Sequence, residues 1–397
     1  MSSRGSVAEV FVAFLKLGLT SFGGPIAHLG YYRREIVERR KWVGESEFAQ
    51  LLALSQFLPG PASSQLGFSL GLLRAGWMGA IAAFLTFTLP SALLLFAFAE
   101  IAPRISGPAG EGALHGLKLV AVAVVAQGVL GMARQLCPDR QRAAVAALAA
   151  AAVVVSGSAW MQLAVVGLGA VAGFVFCRDV QGAPVVNLRV AYGARLGWTL
   201  LAVFALLLAG LPLAAKAGGG LAAVAEAFYR AGALVFGGGH VVLPLLKESV
   251  VGPGWVSPDD FLSGYGAAQA VPGPMFTLAA YLGARLPGGE GGIVGAAVAL
   301  AAIFLPGLLL MGGALPLWRA LAARASAARA VAGVNAAVVG LLAAALYDPV
   351  WTSAVRGPAD FAIALIGFVA LIAWRAPALL VVAWCVIAAM TAATIRG

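Results

Sequence analysis

Four short motifs in this chain set glycine and proline inside stretches that are otherwise apolar. Phe22-Gly23-Gly24-Pro25 interrupts 10–31, and Pro59-Gly60-Pro61 interrupts 48–73. Phe236-Gly237-Gly238-Gly239 interrupts 227–246, and Pro272-Gly273-Pro274 interrupts 261–284. A helix that breaks in lipid leaves backbone N–H groups without partners, at a cost of several kcal/mol each. A new helix start turns that liability into a binding device, because its free N–H groups and dipole attract anions. Glycine lets the anion come close, having no Cβ. Amides and hydroxyls gather at the same places: Gln56 and Gln269 precede the Pro-Gly-Pro turns, Ser63 and Ser64 follow the first, and Thr277 follows the second. Such donors suit a tetrahedral oxyanion that must be held and then released. Close helix packing is the competing explanation for any one glycine, and ordinary interhelical hydrogen bonding for any one polar residue.

Three cations are candidates to supply charge. Lys16 and Arg230 occupy equivalent places about six residues before the Gly-Gly pairs, and Lys118 lies within 114–132. A cation at membrane depth is a functional candidate, with snorkelling to the interface as the alternative. His28 and His240 follow the glycine-rich breaks and read as packing residues. Ser257-Pro258-Asp259-Asp260 reads as an N-cap, a first-turn proline and a capping acid, so Asp260, and Glu47 by equivalence, are helix starts. No HExxH occurs, Tyr347-Asp348 has no Gly-x-Gly-Asp partner, and no GxxxxGK[ST] is present. An intramembrane enzyme and direct ATP drive are therefore disfavoured, and no cofactor or metal is expected.

The elements that position these residues follow from composition. Of 397 residues 61% are hydrophobic and only 11% charged, against about 25% charged in soluble domains. That excludes a water-soluble enzyme, a secreted scaffold and a disordered chain. Apolar runs at 77–99, 114–132, 143–156, 161–176, 196–214, 292–315, 331–346, 361–374 and 379–394 read as continuous spans. With the four broken segments they make 13 membrane segments. Cys137, Cys177 and Cys385 show no CxxC spacing, and the interrupted N-terminal run does not read as a cleaved signal peptide.

The chain also repeats itself. An offset of 214 lays Phe14, Gly18, Phe22, Gly23 and Gly24 on Phe228, Gly232, Phe236, Gly237 and Gly238. An offset of 213 lays Trp42-Val43, Gln56 and the first Pro-Gly-Pro on Trp255-Val256, Gln269 and the second. The expected domains are 1–180, a linker with one helix at 181–219, and 220–397. Matched loops differ in charge. The loop 31–41 is net +3 and its counterpart 246–260 net −2; 134–142 is +2 and 347–360 is −1. The segment 101–112 balances Arg104 against Glu111, whereas 319–329 holds three arginines and no acid. Under the positive-inside bias the repeats face opposite ways, and the odd linker helix permits the flip. The net charge of +10 is then chiefly a record of topology rather than a sign of nucleic-acid binding.

Inverted repeats with broken helices point to secondary transport. FLKLGLTSFGGPIAHLGYYRREIVERRKWV and FAQLLALSQFLPGPASSQL in the first half, with FYRAGALVFGGGHVVLPLL and GYGAAQAVPGPMFTLAAYLGA in the second, resemble the chromate ion transporter family. The resemblance covers nearly the whole chain and corresponds to the long, two-domain members. It implies an all-α polytopic protein of the bacterial inner membrane that exports chromate, with sulfate as chemical mimic. The second copy departs from the first at Gly239 for Pro25, Met275-Phe276 for Ala62-Ser63, and Asn335 for Lys118, which places the more polar first half nearer the anion. The expected partners are the oxyanion and the lipid bilayer, with a homodimer as the assembly. A passive anion channel and a permease for another small anion are the alternatives.

Overall fold

The computed structural model describes residues 5–156, 159–180, 190–236, 239–318 and 324–396. Among the described residues the regular structure is helical, with no strand. The first repeat runs through α1 (Val7–Thr20), α2 (Gly24–Tyr32), α3 (Glu45–Phe57), α4 (Ala62–Ile101), α5 (Gly107–Leu136), α6 (Arg140–Ser156) and α7 (Ala159–Phe176). Helix α8 (Ala194–Gly218) stands between the repeats. The second runs through α9 (Gly220–Ala233), α10 (Val242–Leu246), α11 (Pro258–Ala268), α12 (Leu278–Ala284), α13 (Gly292–Ala314), α14 (Ala325–Ala345), α15 (Pro358–Ile372) and α16 (Ala378–Arg396). The all-α, multi-pass architecture is the one expected.

Six helical segments are long and apolar enough to cross a bilayer: Ala62–Arg104, Gly107–Leu136, Ala194–Gly218, Gly292–Leu317, Ala325–Ala354 and Ala378–Ile395. Their outer faces carry large apolar side chains, such as Leu206, 72% exposed on α8. Water would penalise such a surface and lipid does not.

Each expected break is present. The α1–α2 gap falls at 21–23 and the α3–α4 gap at 58–61; the repeat breaks again between α9 and α10 and between α11 and α12. Helix α4 holds a further discontinuity that the sequence reading did not place. Ala75 (φ −138°) and Gly76 (φ +66°) depart from helical geometry, so the span expected at 77–99 is the second limb of a longer element. The corresponding point of the second repeat is the turn between α12 and α13.

Shared glycines at several positions serve packing. A Cβ on Gly18 would sit 2.5 Å from the Thr86 carbonyl oxygen, and one on Gly232 would overlap the Ile303 carbonyl. Pro90 leaves the Thr86 carbonyl without its helical donor, and α1 lies against that point because Gly18 has no side chain. In the same way Gly116 fits against Cys385 and Val386, while Gly333 fits against Gly169 and Gly173. One helix of each repeat thus packs on the last helix of the other repeat in matching fashion: α5 on α16 and α14 on α7. The capping acids behave as expected. The Ser257 Oγ accepts the Asp260 N–H at 3.0 Å, and Glu47 Oε2 accepts the Gly44 N–H at 3.0 Å.

Candidate functional site

The two Pro-Gly-Pro turns are tied to the opposite repeat by one contact made twice. The Gly60 N–H donates to the Val235 carbonyl at 2.7 Å, and the Gly273 N–H donates to the Ser21 carbonyl at 2.9 Å. Gly273 is the repeat counterpart of Gly60, and Val235 that of Ser21. Each turn therefore supplies a donor to the carbonyl that the broken helix of its partner repeat leaves open. Reciprocity of this kind is the mark of two units related by a two-fold axis. Both glycines have positive φ, +123° at Gly60 and +104° at Gly273, in backbone geometry that favours glycine. His28 braces the same place: its Nε2 lies 3.1 Å from the Ser21 carbonyl, and its ring meets Phe87 edge-on.

Beside this junction lies a cavity of about 450 Å³. Three helix starts reach it. Gly23, in the left-handed region, caps α2; Ala62 and Ser63 open α4; and Gly239 and His240 open the 3-10 turn that leads into α10. Of the residues singled out in the sequence, Gly23, Gln56, Gly60, Ser63 and Gly239 line it. Further polar lining comes from Ser55, Gln127, Gln135, His240 and Asn335. No Lys, Arg, Asp or Glu is among the described lining residues. A bound water occupies about 30 Å³ of liquid volume, so the cavity has room for a small oxyanion together with several waters. Its donors are neutral, and hydrogen bonds to an ionised acceptor are the stronger kind.

The other candidate residues lie elsewhere. Phe22, Gly24, Pro59, Pro61 and Ser64 flank the cavity in sequence without lining it, and the side chain of Pro25 lies outside what the structure describes. The Pro59 carbonyl accepts from Gln65 Nε2 at 2.9 Å, and the same amide reaches the Gly307 carbonyl across the repeats at 3.0 Å. The second repeat's turn is packed shut. Gln269 Nε2 rests on Met275 Sδ, Thr277 Oγ1 donates to the Pro274 carbonyl at 2.7 Å, and Phe276 packs on Phe304. Pro272, Gly273 and Pro274 belong to that closed turn, and Phe236 packs against the core. Gly237 and Gly238 lie outside the described residues.

None of the three cations lines the cavity, and each is paired with a carboxylate. Lys16 Nζ meets Glu35 Oε2 at 2.8 Å, Arg230 Nε meets Glu226 Oε1 at 2.8 Å, and Lys118 Nζ meets Asp259 Oδ1 at 2.6 Å. Glu35 also receives Arg39 and Arg40. Burial raises its pKa, but the donors from Lys16, Arg40 and Arg39 outweigh burial and hold the carboxyl at about 2. The Lys118 pair joins the two repeats. The Arg230 pair lies within α9 at i, i+4, and a charge count by sequence position could not see the longer-range partners of Lys16 and Lys118.

The sequence reading missed the contribution of α5. Gln127, Gly131 and Gln135 fall at i, i+4 and i+8, one helical face, and all three line the cavity. That polar and small-residue stripe in an apolar helix was the available signal.

A membrane-embedded helical protein of two repeats, with its helices broken around an uncharged polar cavity, has the architecture of a transporter. The chain belongs to the chromate transporter family, whose model matches residues 8–175 and again residues 222–391. It is 30% identical over 379 residues to a chromate transport protein of Pseudomonas aeruginosa, covering 93% of this chain and 88% of that one. It is 28% identical over 348 residues to a chromate transport protein of Cupriavidus metallidurans, covering 86% and 82%. An uncharacterised transporter of Bacillus subtilis is 29% identical over 130 residues, which is 33% of this chain and 71% of the relative. No solved structure matches.

Proposed function

We propose that the chain exports chromate, or a closely similar divalent oxyanion such as sulfate, across the bacterial inner membrane by alternating access. The observation that carries this reading is the uncharged cavity where helix starts from both repeats meet. The relatives named for chromate transport support the substrate. The sign changes between matched loops support an inverted arrangement of the repeats. The open first turn and the closed second turn support a single-sided access state, with the repeats exchanging roles in the other state. An inside-negative potential favours outward movement by about 2.3 kcal/mol per charge per 100 mV, so export of a dianion needs little further coupling.

Everted membrane vesicles containing the protein are expected to accumulate labelled chromate above empty-vector vesicles, with sulfate competing and phosphate and molybdate as comparisons. Equal accumulation in the two preparations would remove the substrate assignment.

A further inference from the structure

We propose that His240 contacts the transported anion and that Tyr265 is its positioning residue. The inference rests on the reading of the cavity as the oxyanion site. His240 lines the cavity from the 3-10 turn Gly239–Val241. Its Nδ1 lies 2.7 Å from the hydroxyl of Tyr265, a fully buried residue of α11. With Nδ1 engaged, Nε2 is the ring nitrogen left for an occupant.

The tautomer follows from hydrogen-bond bookkeeping. A neutral imidazole carries one N–H, and a tyrosine hydroxyl has one proton to donate. Had Nδ1–H donated to Tyr265, the phenol proton would need a second acceptor, and none is found among the described residues. The consistent arrangement has the Tyr265 O–H donating to Nδ1, which places the imidazole proton on Nε2. The ring then offers the cavity a donor rather than a lone pair that would repel an anion. Gly128 of α5 makes room for it, since a Cβ there would stand 3.2 Å from the His240 Cδ2. The counterpart of His240 in the first repeat is Ile26, so this donor comes from one repeat only. The site is consequently asymmetric, with amides and hydroxyls largely from the first repeat and the ring N–H from the second.

The test uses purified full-length protein in liposomes and uptake of labelled chromate. A hydrogen bond to a charged group corresponds to roughly a 10- to 100-fold change in affinity. His240→Leu is expected to raise KM by that order. His240→Gln, which keeps an N–H donor, is expected to stay within a few-fold of the parent. Tyr265→Phe keeps the ring and is expected to raise KM several-fold with Vmax little changed. In the His240→Gln background the same Tyr265→Phe change is expected to do nothing further, because its effect runs through the imidazole. An unchanged KM in His240→Leu would overturn the contact. A Tyr265→Phe effect of equal size in both backgrounds would overturn the positioning role. Absence of uptake by the parent protein would instead count against the functional reading itself.

Discussion

Gly131→Leu is expected to abolish chromate uptake while leaving the protein folded and inserted. Gly131 lines the cavity from α5, and a Cβ built there meets no atom within 4 Å. A leucine therefore grows into open space, not into a neighbour. In a helix interior the change from glycine is favourable by up to about 1 kcal/mol, so thermal stability is expected to hold or rise. Loss of uptake with unchanged stability separates an occluded path from a damaged fold. The neighbouring Gly128 gives the contrast, because a side chain there presses on His240 and confounds the two effects. Uptake by Gly131→Leu at the parent rate would show that the anion passes elsewhere.

Gly60→Ala, at a turn that borders the cavity, and Gly273→Ala, in the closed second turn, are expected to be the changes most damaging to stability. Both positions need positive φ, which costs a non-glycine residue about 1–2 kcal/mol. The added Cβ would also stand 2.9 Å from the Gly307 Cα in one case and 2.7 Å from the Ser91 Oγ in the other. Overpacking of that kind costs a further 1–3 kcal/mol or so, and the displaced turn would surrender its hydrogen bond to the opposite repeat. Melting of the detergent-purified variants is expected to fall by similar amounts in the two, because the contacts are repeat counterparts. Gly24→Ala is the control: its φ is +75°, yet nothing lies within 4 Å of its Cβ, so it bears the conformational cost alone. Equal melting of all three variants would refute the role assigned to the reciprocal contact.

The sequence made the scaffold legible because its signals are local and doubled. Glycine and proline mark the breaks at Gly23, Pro61 and Pro274 whatever the surroundings, and the repeat offset identifies corresponding places without any knowledge of contacts. The cavity was harder to read. Gln56, Ser63 and Gly239 were found because they adjoin breaks, whereas Gln127 and Gln135 stand far from any break in sequence and reach the site only through helix packing. His240 looked like a packing residue, as His28 is; what distinguishes them is that one ring faces a carbonyl and the other a cavity. The partners of the cations were hidden for the same reason. Lys118 is buried beside Asp259, a partner from the opposite repeat that no positional argument would pair with it. In the second turn, Met275 and Phe276 in place of Ala62 and Ser63 already signalled unequal copies, and those side chains fill the space that stays open in the first.

The central claim is that the anion occupies the cavity between the broken helices, and protection of a thiol placed there tests it most directly. The protein carries three free cysteines, Cys137, Cys177 and Cys385, to be replaced by alanine before Gly131→Cys is introduced. Sulfate is the protecting anion, since chromate oxidises thiols. A maleimide is expected to label position 131, and sulfate is expected to slow that labelling saturably over the concentrations at which it competes with chromate uptake. Labelling at a rate indifferent to sulfate, in protein whose chromate uptake sulfate still inhibits, would contradict the claim.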